Sequence, residues 1–511
     1  MNVLLISTDK DVWALGLRSI SAVLKAAGHH TSLVFMATEE SIFPASTLDE
    51  LISIARPADL IGVSCLAQGS DKAQQVIERL RWKGKMIAWG GVHASLNPEE
   101  CSEWADIVCR GEGEDMMLDL LERLEKGRDW RDIDNIAFKK DGRIRMNRVR
   151  PPISDLDFLP LPDFSFEEEY HLSADGFEQV STLPRMKDSG RIIFNASRGC
   201  AFHCTYCCNA KLKGLYPKGE HYVRRMSVSR LIEHAQTLRS IFPQGKYFYF
   251  IDEDFGARPL EELSQLAEDY PRRIGLPFAC LSHPAQISPQ KMDLLVKAGL
   301  YQLHIGIESG SERTRRKVFD RHVSNQVIKR AAAIINDYPQ VAPFYFIIFG
   351  NPYEEAEDLI TTARLIASLP SGFFLQAYNL VFFPGSGLYE RGIADGLIAG
   401  RSDSGYELDY LSGLKYEGYL WKKKNLYLNG LLSLMDGACT RNFLGFLPRF
   451  LFDTLLHPPL IEFNEDHTFI IKFLIAVKVF YIQVRHLAIR LLRKIIRNPA
   501  VFNQLLQRKA S

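Results

Sequence analysis

The chain has 511 residues, 46% hydrophobic and 24% charged, and a formal net charge of +1. This composition fits a globular protein of about two to four domains, and its balanced charge gives no reason to expect a nucleic acid partner. Nine cysteines in a chain of this length do not resemble a secreted disulfide scaffold. Without a basic leader or an uncharged apolar run of membrane-spanning length, the sequence favours a cytoplasmic protein.

Short apolar segments alternate with amphipathic helical segments from residue 2 to about residue 125. The alternation is typical of a doubly wound parallel sheet with helices on both faces. Such sheets bind ligands at the carboxyl ends of their strands, so the loops that follow the strands are candidate binding loops. The predicted strands are NVLLIST (2–8), HTSLVFM (30–36), DLIGVSC (59–65), KMIAWGG (85–91) and ADIVCRG (105–111).

Three of these loops carry small and polar residues in a recurring order. They are Asp11, Trp13 and Gly16 after the first strand, Ser64 and Leu66 after the third, and Gly90, Gly91 and His93 after the fourth. This set resembles the Asp-x-His-x-x-Gly, Ser-x-Leu and Gly-Gly marks of cobalamin-binding domains, and the resemblance implies that these eight residues bind cobalamin. A flavodoxin-like domain that binds another ligand, or none, is the alternative.

Trp13 stands where that family has a histidine that ligates cobalt from below. An indole has no lone pair to give to a metal. We therefore expect an apolar surface, rather than a ligand from this loop, beneath the cobalt.

Residues 131–190 are predicted to be a connection, because Pro151, Pro152, Pro160 and Pro162 interrupt any long element. The strand RIIFNAS (191–197) then leads into Cys200, Cys204 and Cys207, spaced C-x3-C-x2-C. Structural zinc sites use four ligands in paired spacings, whereas thiolates also hold iron–sulfur clusters. Three cysteines on a four-iron cluster would leave one iron open to a ligand.

This loop resembles the cluster loop of the radical S-adenosylmethionine enzymes. The resemblance implies that Cys200, Cys204 and Cys207 hold a [4Fe-4S] cluster, and it gives the neighbouring Cys208 no role. It also implies a partial barrel whose strand ends contact S-adenosylmethionine. The implied contacts are Tyr206 in the loop, Asp252 and Asp254 after the second strand, Glu308 and Ser309 after the fourth, and Gly350 after the fifth. The predicted strands are 191–197, 246–252, 276–282, 302–308, 343–350 and 375–382.

The predicted fold is therefore α/β. A doubly wound, flavodoxin-like cobalamin-binding domain (1–130) and a linker (131–190) precede a partial (β/α)6 TIM-type barrel (191–400) and a helical C-terminal domain (401–511). In the last of these, residues 469–497 predict a helix with one basic and one apolar face. Such a helix packs on the barrel or, alternatively, rests on the inner surface of an anionic membrane.

The whole pattern resembles the cobalamin-dependent radical S-adenosylmethionine enzymes. The resemblance implies methylation of an unactivated carbon on a small-molecule or lipid-like substrate, with a reductase, flavodoxin or ferredoxin as electron donor and no nucleic acid partner. No side chain is assigned a catalytic role, because positioning dominates radical steps. The alternatives are a cyclase or oxidase of the anaerobic porphyrin cyclase type and an iron–sulfur sensor without turnover.

Overall fold

The computed structural model describes residues 1–81, 84–183, 190–401, 404, 425–467, 470–478, 480, 481 and 484. The chain divides into two compact units. The first comprises Met1–Gly306, Glu312–Phe344 and the described part of Val381–Leu408. The second comprises Ile307–Ser311, Tyr345–Leu380 and the described residues from 425 onward.

The first unit begins with a nine-stranded sheet in the order β7-β6-β5-β4-β3-β1-β2-β8-β9. The strands β1 to β5 are parallel and coincide with the five strands predicted from the sequence, which confirms the doubly wound sheet. The bounds are β1 Asn2–Ser7, β2 His30–Phe35, β3 Leu60–Ser64, β4 Met86–Gly90, β5 Ile107–Cys109, β6 Ile136–Lys140, β7 Arg143–Met146, β8 Glu169–Ser173 and β9 Gly176–Gln179.

Two hydrophobic layers cover this sheet, one on each face. Leu4 and Ile6 point into a layer with helices Ala45–Ala55 and Ser70–Arg81. The alternate residues Val3 and Leu5 point into the other layer, with helices Leu15–Ala26 and Glu114–Glu125. Alternation along a strand places successive side chains on opposite faces, so an entirely apolar strand buries both. Short helices Gly91–Leu96 and Pro98–Cys101 follow β4.

The segment 131–190, predicted to be a connection, contains β6 to β9 instead. β6 and β7 form an antiparallel hairpin that turns at Asp141 and Gly142, whose φ values are 52° and 72°. Asp-Gly is a strong signal for such a turn, since both residues tolerate positive φ. The prediction missed the hairpin because its strands, rich in Lys and Arg, lack an apolar alternation.

All six strands predicted for the barrel are present. β10, β13, β14 and β15 are parallel neighbours within the first unit, and β11 pairs with β12 in a short antiparallel ladder. The bounds are β10 Arg191–Phe194, β11 Ser197–Arg198, β12 Arg224–Arg225, β13 Tyr247–Phe250, β14 Phe278–Ser282, β15 Leu300–Glu308, β16 Ala342–Phe349 and β17 Phe373–Asn379. The helices are Cys208–Lys213, Val228–Ile241, Leu260–Arg273, Pro289–Ala298, Glu312–Lys317, Asn325–Asn336, Ala356–Ala367 and Gly387–Ala394.

The C-terminal region is mainly helical, as predicted, with helices Leu426–Leu434, Arg449–Leu455, Pro458–His467 and 470–478. It also has three short strands that the sequence did not indicate: β18 Gly437–Cys439, β19 Phe443–Leu444 and β20 Leu447–Pro448. β18 pairs antiparallel with β17. Most of the predicted helix 469–497 lies outside the described residues. Within the described part of the chain, no helix has the length and apolarity that crossing a membrane requires.

Candidate functional site

A cavity of about 290 Å³ lies in the first unit, at the carboxyl ends of β3 and β4. Four of the eight residues predicted to bind cobalamin line it, namely Gly16, Ser64, Gly90 and Gly91. Apolar residues of the sheet and of helix Glu114–Glu125 form further parts of its wall. These are Leu5, Gly62, Ala88, Met116 and Met117. The cavity therefore occupies the edge at which parallel sheets bind ligands.

Glycine is required at one of these positions and leaves open space at another. Gly91 has a φ of 90°, and a Cβ there would lie 2.8 Å from Ser64 Oγ and 2.9 Å from the carbonyl oxygen of Cys65. The loops after β3 and β4 can close on each other only because Gly91 has no side chain. A Cβ built on Gly16 would meet no atom within 4 Å, so the backbone there is open to a ligand.

Asp11 and Trp13 do not line the cavity. The exposed Asp11 carboxylate accepts a hydrogen bond from Trp13 N at 3.0 Å. The Trp13 ring is buried against Phe164 and Phe242, with ring centroids 5.6 Å apart in both pairs. In this structure the apolar contacts of Trp13 are therefore made with the protein's own aromatic side chains.

Leu66 and His93 are also absent from the described cavity wall. Leu66 is 49% exposed, and its backbone N donates to Asp9. His93 is buried, with Nδ1 3.4 Å from Asn97 Nδ2 and Nε2 3.7 Å from Glu100 Oε1. The assignment of the eight residues to cobalamin stays a prediction.

A network of four charged residues forms another part of the cavity wall; Glu114 and Arg224 are buried, and Glu112 and Arg198 are half-buried. Arg198 donates to Glu114 Oε1 at 2.6 Å and to Glu112 Oε1 at 3.2 Å, and Arg224 donates to Glu112 Oε1 at 2.8 Å. Ser19 also donates to Glu114, at 2.8 Å. Although burial alone would raise it, the pKa of Glu114 is held below its ordinary value by Arg198.

Sequence reasoning missed this network. The two glutamates lie in the Gly-Glu-Gly-Glu loop after β5, and Arg198 lies on β11, two residues before Cys200. The sequence features that could have indicated the network are an arginine two residues before the first cysteine and two glutamates after a predicted strand. The network joins the loop after β5 to the cysteine loop.

The three predicted cluster cysteines lie on the loop that follows β11. Cys207 N donates to the Cys204 carbonyl oxygen at 3.0 Å, which makes a tight turn between two of them. Thr205 is held by its Oγ1, which donates to the Val318 carbonyl oxygen at 2.6 Å. Cys204 is buried, whereas Cys200 and Cys207 are half-buried. The loop is therefore fixed by hydrogen bonds, while two of its three cysteines remain partly exposed.

Glycine and charge also shape this loop. Gly199 has a φ of 85°, and a Cβ there would lie 2.1 Å from the Tyr222 carbonyl oxygen, so no other residue fits without a shift. Arg321 Nη1 lies 3.7 Å from Cys204 Sγ. Burial raises the pKa of the Cys200 thiol to about 12. A thiolate at this position therefore needs a compensating cation, such as a bound iron atom.

Cys208, which has no role in the implied pattern, begins helix Cys208–Lys213 directly after the predicted ligand Cys207. Within the described residues, no group of three or more His, Cys, Asp and Glu side chains is arranged to hold a single metal ion. An iron–sulfur cluster binds each cysteine at a separate iron and does not need that arrangement.

Asp252 and Asp254 follow β13 and differ in their hydrogen bonding. The fully buried Asp252 accepts from Ala196 N through Oδ2 at 3.1 Å, while its buried Oδ1 has no hydrogen-bond partner. Asp254 Oδ1 accepts from Ser282 Oγ and His283 N, both at 3.1 Å, and burial raises its pKa to about 6. Asp252 is therefore a carboxylate with an acceptor left for a cationic ligand.

Tyr206 belongs to the first unit, where its ring contacts Phe319 edge-on at 4.9 Å. In the second unit, Glu308 has a φ of 67°, and Ser309 donates to Glu354 at 2.8 Å. Gly350 has a φ of 73°, and its N donates to Asn429 Oδ1 at 2.7 Å. Glu308, Ser309 and Gly350 stand at strand ends and Tyr206 in the cysteine loop, as expected, and their contacts with S-adenosylmethionine stay predictions.

Two family models match the chain. The radical SAM superfamily model matches residues 194–366, and the B12-binding domain model matches residues 1–121. This chain is a radical SAM enzyme with a B12-binding domain. The resemblance stated from the cysteine loop and the strand-end marks is thus confirmed. The radical SAM domain uses a [4Fe-4S] cluster and S-adenosylmethionine, and the B12-binding domain binds cobalamin.

Curated relatives include both methyltransferases and cyclases. An uncharacterized methyltransferase of Pyrococcus horikoshii is 25% identical over 75% of this chain and 79% of its own. A cytidylyl-2-hydroxyethylphosphonate methyltransferase of Streptomyces wedmorensis is 22% identical over 80% of this chain and 83% of its own. An anaerobic magnesium-protoporphyrin IX monomethyl ester cyclase of Rubrivivax gelatinosus is 25% identical over 68% and 60%.

Solved structures confirm the fold. The radical S-adenosylmethionine methyltransferase TsrM from Kitasatospora setae, with cobalamin and a [4Fe-4S] cluster bound, aligns with a TM-score of 0.60 over 78% of each chain at 15% identity. The cobalamin-dependent radical enzyme OxsB aligns with a TM-score of 0.57 over 77% of this chain and 55% of its own, at 16% identity. The order of a B12-binding domain, a radical SAM domain and a helical region is therefore established.

The described residues fit the implied cofactors. Three cysteines on one loop that hydrogen bonds hold in place suit a cluster. The cavity bounded by Gly16 and Gly90 suits a ligand that approaches the backbone closely. The free acceptor of Asp252 suits the ammonium group of an amino acid ligand.

Proposed function

We propose that this enzyme transfers a methyl group to an unactivated carbon of a small-molecule or lipid-like substrate. The observation that supports the proposal is that one cavity is lined both by predicted cobalamin-binding residues and by residues that precede the predicted cluster cysteines. The predicted cobalamin residues Gly90 and Gly91 share it with Ser197, Arg198 and Gly199, which directly precede the cluster ligand Cys200. The methyltransferase names of two relatives support the same reaction class.

When bound, the cluster supplies the electron that cleaves S-adenosylmethionine, and cobalamin supplies the methyl group. Cys200, Cys204 and Cys207 would each hold one iron of the cluster, and Asp252 Oδ1 would accept a hydrogen bond from the amino group of S-adenosylmethionine. The glycines would admit the corrinoid, and the apolar wall of Leu5, Gly62 and Ala88 would keep water from its surroundings. The contribution of these residues is positioning.

In the net reaction, a substrate C–H bond is replaced by a C–CH₃ bond. One S-adenosylmethionine is reduced to methionine and 5′-deoxyadenosine, which carries away the substrate hydrogen. A second gives up its methyl group and leaves S-adenosylhomocysteine. The electrons come from a reductase, flavodoxin or ferredoxin.

The test uses anaerobically reconstituted enzyme with methyl-labelled S-adenosylmethionine, reductant and fractionated metabolites. We expect 5′-deoxyadenosine, S-adenosylhomocysteine and a labelled product that depends on both cofactors. A catalyst that forms 5′-deoxyadenosine and an unlabelled product would contradict methylation. A protein that forms neither nucleoside would be a sensor.

Cyclisation or oxidation at carbon is the second candidate, because three curated relatives are anaerobic magnesium-protoporphyrin IX monomethyl ester cyclases. The same assay separates the two reactions. A cyclase would form 5′-deoxyadenosine with magnesium-protoporphyrin IX monomethyl ester and would leave no label in the product.

A further inference from the structure

An arginine outside the predicted ligand set is in direct contact with the cysteine loop. Arg321 Nη1 donates to Cys204 Sγ at 3.7 Å. Both residues are buried, with exposures of 7% for Arg321 and 6% for Cys204. Because charge interactions are screened less away from water, this arginine should act on the sulfur more strongly than a surface arginine would.

The position of the Arg321 guanidinium is fixed by other parts of the first unit. Its Nη2 donates to the carbonyl oxygen of Gly306, in β15, at 2.7 Å. The residues just before Arg321 also hold the cysteine loop, since the carbonyl oxygen of Phe319 accepts from Thr205 N at 3.0 Å. Several hydrogen bonds therefore hold the guanidinium and the loop against each other, in addition to the contact with Cys204.

A stack of two rings lies beside the guanidinium. The guanidinium carbon of Arg321 is 5.8 Å from the centroid of the Phe202 ring, within the range of a cation–π interaction. Phe202 belongs to the cysteine loop, and His283 stacks on its ring with centroids 4.1 Å apart. Burial and the nearby Arg321 lower the pKa of His283 to about 3, so this histidine is neutral at neutral pH. Of these three side chains, only Arg321 is charged.

A cation at this place affects the two redox states of the cluster differently. Reduction by one electron from the external donor adds one negative charge to the iron–sulfur site. Hydrogen bonds to the sulfurs and the net charge of the site set the potentials of such clusters. A positive donor on a ligand sulfur therefore favours the reduced state, from which the electron passes to S-adenosylmethionine.

We propose that Arg321 acts through the Cys204 thiolate to raise the reduction potential of the cluster, which makes the cluster easier for the electron donor to reduce. In this role Arg321 is a positioning residue, because it acts through a predicted ligand. The inference rests on ligation by Cys204 and does not depend on the proposed methylation. If Arg321 only supported the fold of the loop, the potential of an assembled cluster would not change when it is replaced.

The test is a redox titration of the full-length, anaerobically reconstituted protein without S-adenosylmethionine or substrate. The electron paramagnetic resonance signal of the reduced cluster is followed against potential. Two neutral variants, Arg321→Met and Arg321→Gln, should have a more negative midpoint than the parent. At a fixed potential we expect the ratio of reduced to oxidised cluster to fall about tenfold, which corresponds to about 59 mV for a one-electron couple. Arg321→Lys keeps the charge and should shift the midpoint less.

The control is Arg316→Met, in helix Glu312–Lys317, which removes the same charge from an exposed side chain (59%) and should keep the parent's midpoint. Iron and sulfide contents show which variants hold a full cluster. The proposal is overturned if a neutral Arg321 variant with a full cluster keeps the parent's midpoint, or if Arg316→Met shifts it equally.

The proposal is also overturned if neither neutral variant assembles a cluster, because Arg321 would then be required to build the loop. A failure of the methylation assay would leave these midpoints unaffected, since no substrate or cobalamin turnover enters the titration. The expected shifts together with an unlabelled product would therefore contradict only the proposed function.

Discussion

The cavity of the first unit has two kinds of wall that work by different physics. The glycine wall, formed by Gly16, Gly90 and Gly91, leaves room because these residues lack side chains. The charged wall, which contains Arg198 and Glu114, is filled by their ion pair. We expect the glycine wall to select a ligand by shape, whereas the side chains of the charged wall satisfy each other's charges and join the loop after β5 to the cysteine loop. Damage to the two walls should therefore impair different cofactors.

The largest effect is expected at the cysteine loop that the charged wall supports. Cys204→Ala removes one of the three predicted cluster ligands, so we expect loss of the iron–sulfur absorbance and at least about a hundredfold less 5′-deoxyadenosine, by an order-of-magnitude argument from lost metal ligation. Cobalamin binding should persist, because the glycine wall is unchanged. The matched control is Cys208→Ala, which should keep its cluster. An intact cluster in Cys204→Ala would contradict the assignment.

Glu114→Gln tests the charged wall itself. Glutamine keeps an oxygen acceptor but loses the negative charge, so the half-buried Arg198 keeps one carboxylate partner, Glu112 at 3.2 Å, and donates to Ser19 Oγ at 3.2 Å. We expect unfolding to become about 2 kcal/mol easier, which is less than the cost of an unpaired buried charge because one carboxylate remains. The measurement is urea unfolding of the protein without cofactors. Arg148→Gln breaks an exposed pair with Asp134 and should leave the midpoint unchanged. Equal midpoints for both variants would mean that this network contributes no stability.

Gly91→Ala tests the glycine wall. The new Cβ would meet Ser64 Oγ and the Cys65 carbonyl oxygen, and we expect cobalamin affinity to fall about tenfold or more as the loops separate. Gly28→Ala is a close control, because Gly28 has a φ of 87° and no atom within 4 Å of its Cβ position. Both variants place an alanine at a positive φ and incur a similar conformational cost, so the difference between their cobalamin affinities measures the effect of the new Cβ contacts at residue 91. Cobalamin titration should separate them, and equal affinities would refute the shape argument.

The sequence predicted what is local and missed what depends on distant partners. The three cysteines lie within eight residues, and the barrel strands are apolar runs, so both were predictable. The charged wall was not, because Arg198 and Glu112 are 86 residues apart in the sequence and meet only after folding. The packing of Trp13 against Phe164 and Phe242 shows the same limit, because it depends on segments far from Trp13 in the sequence.

The smallest expected effect concerns a carboxyl group beside the glycine wall. Asp9 accepts hydrogen bonds from Leu66 N, in the loop after β3, at 3.0 and 3.1 Å, and burial raises its pKa to about 6. Because the folded state then holds a proton that the unfolded chain releases at lower pH, Asp9 should contribute stability below its ordinary pKa of 3.8 and lose it as pH rises through about 6.

Asp9→Asn keeps an oxygen acceptor for Leu66 N but cannot ionise. The variant should therefore lack the decrease in the free energy of unfolding between about pH 4 and pH 6, which is about 1 kcal/mol once solvent screening of a half-buried group is allowed for. Urea midpoints of both proteins, measured between pH 4 and 7 at constant ionic strength, check the prediction, since other titrating groups cancel in the difference. Parallel profiles would show that Asp9 titrates as an ordinary carboxyl. In that case the protonation of Asp9 would contribute nothing to the stability of the loop after β3. The glycine wall would then differ from the charged wall in having no stabilising ionisable group beside it.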